Sequence, residues 1–171
     1  VRTGSRGLFW LEPMIEVETP AGRIAYGPVK ASDVPALFEA GLMQGSAHAL
    51  RVGRPEEIPF LQRQTRVTFA RCGIVDPLSL DDYRAHGGYR GLARARDLGP
   101  ASTIEEVAAS GLRGRGGAGF PAGIKWKTAA DAAADRKYIV CNADEGDSGT
   151  FADRMLMEGD PFSVIEGMTI A

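Results

Sequence analysis

The sequence predicts an α/β fold, and three observations carry that reading. Residues 111–123 hold six glycines in thirteen positions and run into Ile124-Lys125-Trp126-Lys127, a loop that opens a helix. Lys137-Tyr138-Ile139-Val140-Cys141 is a short apolar run of strand formers, followed at once by the polar and acidic Asn142-Ala143-Asp144-Glu145-Gly146-Asp147-Ser148-Gly149-Thr150-Phe151. Near the start, Met14-Ile15-Glu16-Val17-Glu18 alternates apolar and acidic residues. Loop, helix, strand and acidic strand end, in that order, make the pattern of a nucleotide site, where ligands bind beyond the carboxyl ends of strands.

Taken in order, Arg23-Ile24-Ala25-Tyr26 follows the Thr19-Pro20-Ala21-Gly22 turn, so the chain opens with a hairpin that keeps one face wet. Ser32 or Asp33 caps a helix that carries Val34, Leu37, Phe38 and Leu42, with Gly41 near its end. Two strands and a helix are half of a small α/β unit, and the rest of it is expected before Val1. Arg54-Pro55-Glu56-Glu57-Ile58-Pro59-Phe60-Leu61 reads as a connector that docks apolar residues at intervals, and Arg66-Val67-Thr68-Phe69-Ala70 as a short strand. Leu80-Asp81-Asp82-Tyr83-Arg84 is helical, Gly87-Gly88-Tyr89 interrupts, and Leu92-Ala93-Arg94-Ala95 resumes. Ser102 or Thr103 caps the next helix, with Glu105 and Glu106 near its start and Gly111 as its stop. A last helix over 161–170 is expected to lay its apolar side on the Ile139-Val140 strand.

The glycine density of 111–123 is unsuited to the interior of a helix or strand, because glycine loses the most backbone entropy on folding. It suits a main chain that turns sharply and presents N–H groups to anionic oxygens, with Pro121 opening the helix that follows. The alternative is a plain surface turn. No apolar strand precedes Gly114, so the dinucleotide fingerprint fails on context; no Gly-Lys-Ser or Gly-Lys-Thr closes the loop, so it is not a P-loop. A phosphate or flavin loop of another kind remains.

Composition bounds the function. A formal charge of -2 gives no support to nucleic-acid binding. Cys72 and Cys141 lie far apart and form no metal-ligand spacing, which fits a reduced, cytoplasmic chain. Cys72 reads as a buried small side chain, since neither His48 nor His86 makes a convincing partner for a nucleophile. No stretch approaches eighteen apolar residues, so no direct membrane insertion is expected. The chain opens on Val1 and closes inside an apolar run, and is expected to be an excerpt of a longer polypeptide.

The run 111–126, the run Tyr138-Ile139-Val140-Cys141-Asn142-Ala143-Asp144-Glu145, and Cys72-Gly73, Asp76-Pro77, Tyr83 and Gly87-Gly88-Tyr89 resemble the flavin-binding subunit of respiratory NADH dehydrogenase and its relatives in soluble NAD-linked hydrogenases and formate dehydrogenases. The resemblance spans about residues 66–171. It implies a partial thioredoxin-like domain over 1–43, a connector over 44–100, and the start of an FMN-binding, Rossmann-like α/β domain over 101–171. Where the family's thioredoxin-like domain places two cluster cysteines, this sequence has Ser5 and Phe9, so no two-iron cluster is expected there. That cluster-free segment, with Gly4-Ser5-Arg6-Gly7-Leu8-Phe9-Trp10, looks like the diaphorase subunit of molybdenum-containing NAD-dependent formate dehydrogenase. A soluble hydrogenase diaphorase, a quinone-linked subunit and a non-catalytic docking subunit are the alternatives.

The resemblance further implies FMN and NAD(H) as cofactors, with a four-iron cluster whose ligands lie beyond Ala171. No residue here is assigned to a metal or to a catalytic step, and the excerpt alone is expected to be inactive. The implied partners are a two-iron-cluster thioredoxin-like small subunit and a large catalytic subunit, molybdenum formate dehydrogenase. The cofactor-binding set is Gly114, Arg115, Gly116, Gly117, Ala118, Gly119, Phe120, Pro121, Ala122, Gly123 and Lys125, joined by Asn142, Asp144, Glu145, Gly146 and Asp147.

By resemblance, Gly114 to Gly117 wall the cleft, Phe120 stacks on the nicotinamide or its adenine, and Lys125 lies near an anionic group. Phe120 as a core anchor and Lys125 as a solvated helix residue stay open, as does Arg115 as a phosphate partner or one half of a surface ion pair. Trp126 reads as core. Asn142 offers a donor and an acceptor to the flavin edge, while Asp144 and Glu145 accept from hydroxyls; a capped, solvated turn is the alternative. Gly146, Asp147 and Ser148 depart from the serine, glutamate and proline common in the respiratory subunits, which makes Asp147 the least secure contact.

Overall fold

A computed structural model describes residues 1–171. The chain divides into two compact units, Ser5–Ala70 and Val1–Gly4 together with Arg71–Ala171. This division lies between the boundaries expected at 43/44 and 100/101.

In Ser5–Ala70 the alternation of Ile15, Glu16, Val17 and Glu18 forms β1 (Ile15–Thr19), paired antiparallel with β2 (Gly22–Tyr26). A third strand, β3 (Arg51–Gly53), adds to β2, in the order β1-β2-β3. Helix α1 (Val34–Glu39) covers one face of the sheet, and Val17, Ile24, Tyr26, Val29, Leu37 and Leu42 form the core between them. Phe38 is 56% exposed, because it sits one position round the helix from the buried Leu37. The Tyr26 hydroxyl donates to the Ser46 carbonyl at 2.6 Å, so the buried ring keeps its polar end satisfied. Buried Arg6 makes two bonds to Glu16, at 2.6 and 2.9 Å. A short helix, α2 (Pro59–Gln62), follows, and Pro55 and Ile58 are the connector residues that reach the interior. Residues 66–70 are not a strand: they form turns, since the pairable edge of the sheet is taken by Arg51–Gly53.

Arg71–Ala171 carries six helices: α3 (Leu80–Ala85), α4 (Arg90–Leu98), α5 (Pro100–Ala109), α6 (Ala122–Asp131), α7 (Ala152–Gly159) and α8 (Pro161–Ile170). The Ser79 hydroxyl caps α3 by accepting from Asp82 N–H at 3.1 Å. Thr103 does not cap α5. That helix opens at Pro100, a residue preset for a first turn, and places Thr103 inside, its hydroxyl donating to Gly99 O at 2.8 Å. Pairs α5 and α6, α4 and α5, α4 and α8, and α7 and α8 pack together.

The expected strand at 137–141 does not form. Tyr138, Ile139 and Val140 belong to no regular element and are exposed, at 76%, 53% and 83%. A strand exists only as part of a hydrogen-bonded ladder, and the only β pairing elsewhere in Arg71–Ala171 is the isolated bridge between Arg113 and Pro121. Helix α8 accordingly packs on α4 and α7 rather than on residues 139–140. The chain as a whole is α/β by having a small antiparallel sheet and helices, with the sheet and most of the helices in different units.

Candidate functional site

The glycine-rich segment is a closed loop with fixed ends. Gly114 N–H donates to Phe120 O and Ala122 N–H to Leu112 O, each at 2.8 Å, around the Arg113–Pro121 bridge. The Arg113 guanidinium donates to Gly119 O at 2.7 Å and ties the loop across its middle. Arg113 was missed by sequence reasoning. Its signal was an arginine at the mouth of a loop whose carbonyls have no ladder to join.

Between those bonds the N–H groups of residues 115–119 donate to nothing in the chain, so they are available to an anionic oxygen. Gly117 has φ of +104°, a conformation that L side chains rarely adopt. A methyl group at Gly116 or Gly117 would meet no atom within 4 Å, so the loop's surface is open. Gly123 differs: an added Cβ there would lie 2.5 Å from Ala108 Cα, so this glycine lets α6 approach α5.

Phe120 and Lys125 are brought together, with the ammonium 5.7 Å from the ring centre. The ring is 46% exposed, too open for a core anchor. Lys125 also lies 3.6 Å from where a Gly114 Cβ would sit, so cation, ring and loop backbone share one place. None of the chain's ion pairs involves Arg115 or Lys125, which leaves both charges for a ligand. Trp126 is half-buried on α6, whereas Lys127 is held by Asp131 at 2.8 Å.

The acidic segment is a separate turn, tied to itself and to α7. Asn142 Oδ1 accepts from Asp144 N–H at 3.0 Å, an Asx turn. Glu145 accepts from Asp153 and Arg154 N–H at 2.9 and 3.0 Å. Asp144, Gly146 and Asp147 are exposed. Each segment makes its hydrogen bonds locally, and none joins the glycine loop to the acidic turn.

The donor set fits a phosphate-bearing, hydroxyl-rich ligand such as FMN. On the loop, unpaired N–H groups, Arg115 and Lys125 supply positive potential and a half-exposed ring supplies a stacking face; on the separate acidic turn, Asn142, Asp144 and Asp147 carry acceptors. No group of three or more His, Cys, Asp or Glu side chains is arranged to hold a metal ion.

Residues 107–171 match the family described as the Nuo51 FMN-binding domain. The chain is similar to the NADP-reducing hydrogenase subunit HndC of Solidesulfovibrio fructosivorans, at 55% identity over 64% of this chain and 22% of that protein. It is 44% identical to the F subunit of NADH-quinone oxidoreductase of Escherichia coli strain K12, over 56% of this chain and 22% of the relative. It is 53% identical to the NAD-reducing hydrogenase HoxS subunit alpha of Cupriavidus necator, over 43% and 12%. The matched region thus spans about a fifth or less of the length of these curated relatives.

Proposed function

From the match of residues 107–171 to the Nuo51 FMN-binding domain family, we propose that the protein is an FMN-dependent NADH:acceptor oxidoreductase subunit. The observation that carries this reading is the closed glycine loop, with its unpaired N–H groups beside Lys125 and Phe120, inside the matched region. The loop and Lys125 bind phosphate, Phe120 offers its face to a planar ring, and Asn142, Asp144 and Asp147 orient hydroxyl and amide groups. FMN, when bound, supplies the conversion of a two-electron hydride into single electrons. The residues of this chain bind and orient; none is needed as an acid or base for hydride transfer.

The relatives named above act, by their names, with hydrogenase or quinone chemistry. A hydrogenase-linked or quinone-linked subunit is therefore better supported than the formate dehydrogenase that the N-terminal segment suggested. On the same reading, the full protein passes electrons to a four-iron cluster held by residues other than these 171, whose two cysteines are far apart. It works beside a catalytic subunit and an iron-sulfur small subunit in the cytoplasm, and residues 1–43 are a cluster-free, thioredoxin-like relic that docks them. No helix of the chain is long and apolar enough to cross a membrane.

Flavin and metal analysis of the native complex is the test. Stoichiometric FMN with NADH-dependent dye reduction is expected, with nickel in the catalytic partner subunit for the hydrogenase link. Absence of FMN would overturn the enzymatic reading in favour of a docking subunit, and molybdenum would restore the formate link.

A further inference from the structure

Helix α7 begins without a cap of its own. Its N-cap position is Phe151, left-handed at φ +54°, with no side-chain acceptor. The first-turn N–H groups of Asp153 and Arg154 are taken instead by the two carboxylate oxygens of Glu145, eight and nine residues earlier. Glu145 is itself left-handed, at φ +48°, a conformation unfavourable for a residue with a Cβ.

Helix α4 is built the same way. Its N-cap is Tyr89 at φ +64°, also without a cap, and the N–H groups of Tyr89 and Leu92 are taken by the distant Glu166. Tyr89, Glu145 and Phe151 are the non-glycine residues of positive φ in the chain, and all three belong to these two caps. A strained backbone persists where surrounding bonds over-determine it. At Glu145 those bonds are the pair to α7.

We propose that Glu145 is a positioning residue, whose carboxylate anchors the acidic turn to α7 and leaves Asp144 and Asp147 as the carboxylates that face the ligand. Both Glu145 oxygens are committed to helix N–H groups, whereas Asp144 and Asp147 are exposed beside it. This rests on the FMN reading above and assigns the division of labour within its acidic turn.

The test uses the full-length protein as wild type, Glu145→Ala, Glu145→Gln and Asp144→Asn. Amide exchange at Asp153 and Arg154 without ligand reports the cap, and FMN retention with NADH kinetics reports the site. Glu145→Ala is expected to speed exchange about tenfold or more, by loss of charge-assisted bonds, and to weaken FMN retention and raise KM while kcat of flavin-loaded enzyme stays within about twofold. Glu145→Gln, which keeps one acceptor oxygen, should fall between Glu145→Ala and wild type on both readouts. Asp144→Asn should weaken ligand binding with exchange unchanged. Ligand binding lost in Glu145→Ala with exchange unmoved would make Glu145 a direct contact and overturn the proposal. Exchange raised with binding and KM unmoved would show that the cap does not place the turn. Wild-type protein that takes up no FMN would instead sink the functional reading, while the exchange data still decide whether Glu145 caps α7.

Discussion

The Tyr83 hydroxyl on α3 donates to the Glu166 carboxylate on α8, and the same carboxylate accepts from the N–H groups of Tyr89 at 2.7 Å and Leu92 at 2.9 Å. One side chain thereby fastens α3, α4 and α8. Tyr83 is also edge-on to Tyr89, at 5.3 Å between ring centres, and under the Arg71 guanidinium at 4.8 Å. Arg71 in turn pairs with buried Asp160 at 2.8 Å. The interior of this unit is held by a polar network as much as by apolar contact.

Removing that carboxylate should unfold the unit more readily than removing most apolar side chains. Glu166→Ala leaves a buried hydroxyl and two N–H groups without partners, each costing about 1–3 kcal/mol. A loss of about 3 kcal/mol or more is expected in urea unfolding, with Glu166→Gln losing less because its amide oxygen still accepts. An Ala variant within about 1 kcal/mol of wild type would show that water replaces the carboxylate.

Stability should also fall on acidification for an identifiable reason. Burial alone raises the Glu166 pKa, but the Tyr83 hydroxyl and the Leu92 and Tyr89 N–H groups outweigh it and hold the carboxyl below its ordinary range. A depressed folded value means the contribution is complete above the unfolded carboxylate pKa and is lost as pH falls through the folded one. Tyr83 is shifted upward, by burial first and then by Glu166, so its contribution is complete below the ordinary tyrosine pKa and declines as pH rises above it. Unfolding free energy measured against pH should drop at both ends, and Glu166→Gln should flatten the acid limb.

Gly116 in the loop and Gly123 in the first turn of α6 should behave oppositely. Gly123→Ala forces a methyl group to within 2.5 Å of Ala108 Cα and should cost about 1–3 kcal/mol of stability as α5 and α6 are pushed apart. Gly116→Ala meets no atom within 4 Å and should leave thermal unfolding within about 0.5 kcal/mol of wild type, yet weaken FMN retention if the loop backbone lies against the ligand. Unchanged flavin content in Gly116→Ala would move the ligand away from this loop.

Lys125 offers the cleanest separation of binding from folding. Its exposed contact with Phe120 is worth about 0.5–1 kcal/mol, so Lys125→Met should barely alter stability. A lost charge-assisted bond to phosphate is worth about 1.5–3 kcal/mol, or about tenfold or more in Kd. Equilibrium binding of FMN to the reconstituted protein measures it, and an unaltered Kd would return Lys125 to a solvated helix residue.

Local chemistry made much of this chain legible. The hairpin of β1 and β2 follows from apolar and acidic alternation, α3 from the helical run Leu80-Asp81-Asp82-Tyr83-Arg84, and the glycine loop from a composition that no regular element accepts. Each depends on residues within a few positions of one another, and a turn, a cap or a period of two is a short-range property. The apolar run 137–141 shows the boundary of that logic: its residues favour a strand, but pairing is a relation between segments, and within Arg71–Ala171 no partner is offered.

What the sequence determined by itself was therefore the presence of a hairpin, of helices α1, α3, α4, α5, α6 and α8 but not α2 or α7, and of a glycine-rich loop with a cation and a ring at its exit. Tertiary structure alone decided what the buried and acidic side chains do. Glu145 and Glu166 serve as caps for α7 and α4, each starting at a left-handed aromatic residue that cannot cap itself, and Gly123 serves as a contact between α5 and α6. The reason is geometric: an uncapped N–H group accepts any oxygen that reaches it, and which carboxylate arrives, from eight residues away or from seventy-seven, is set by how the helices pack.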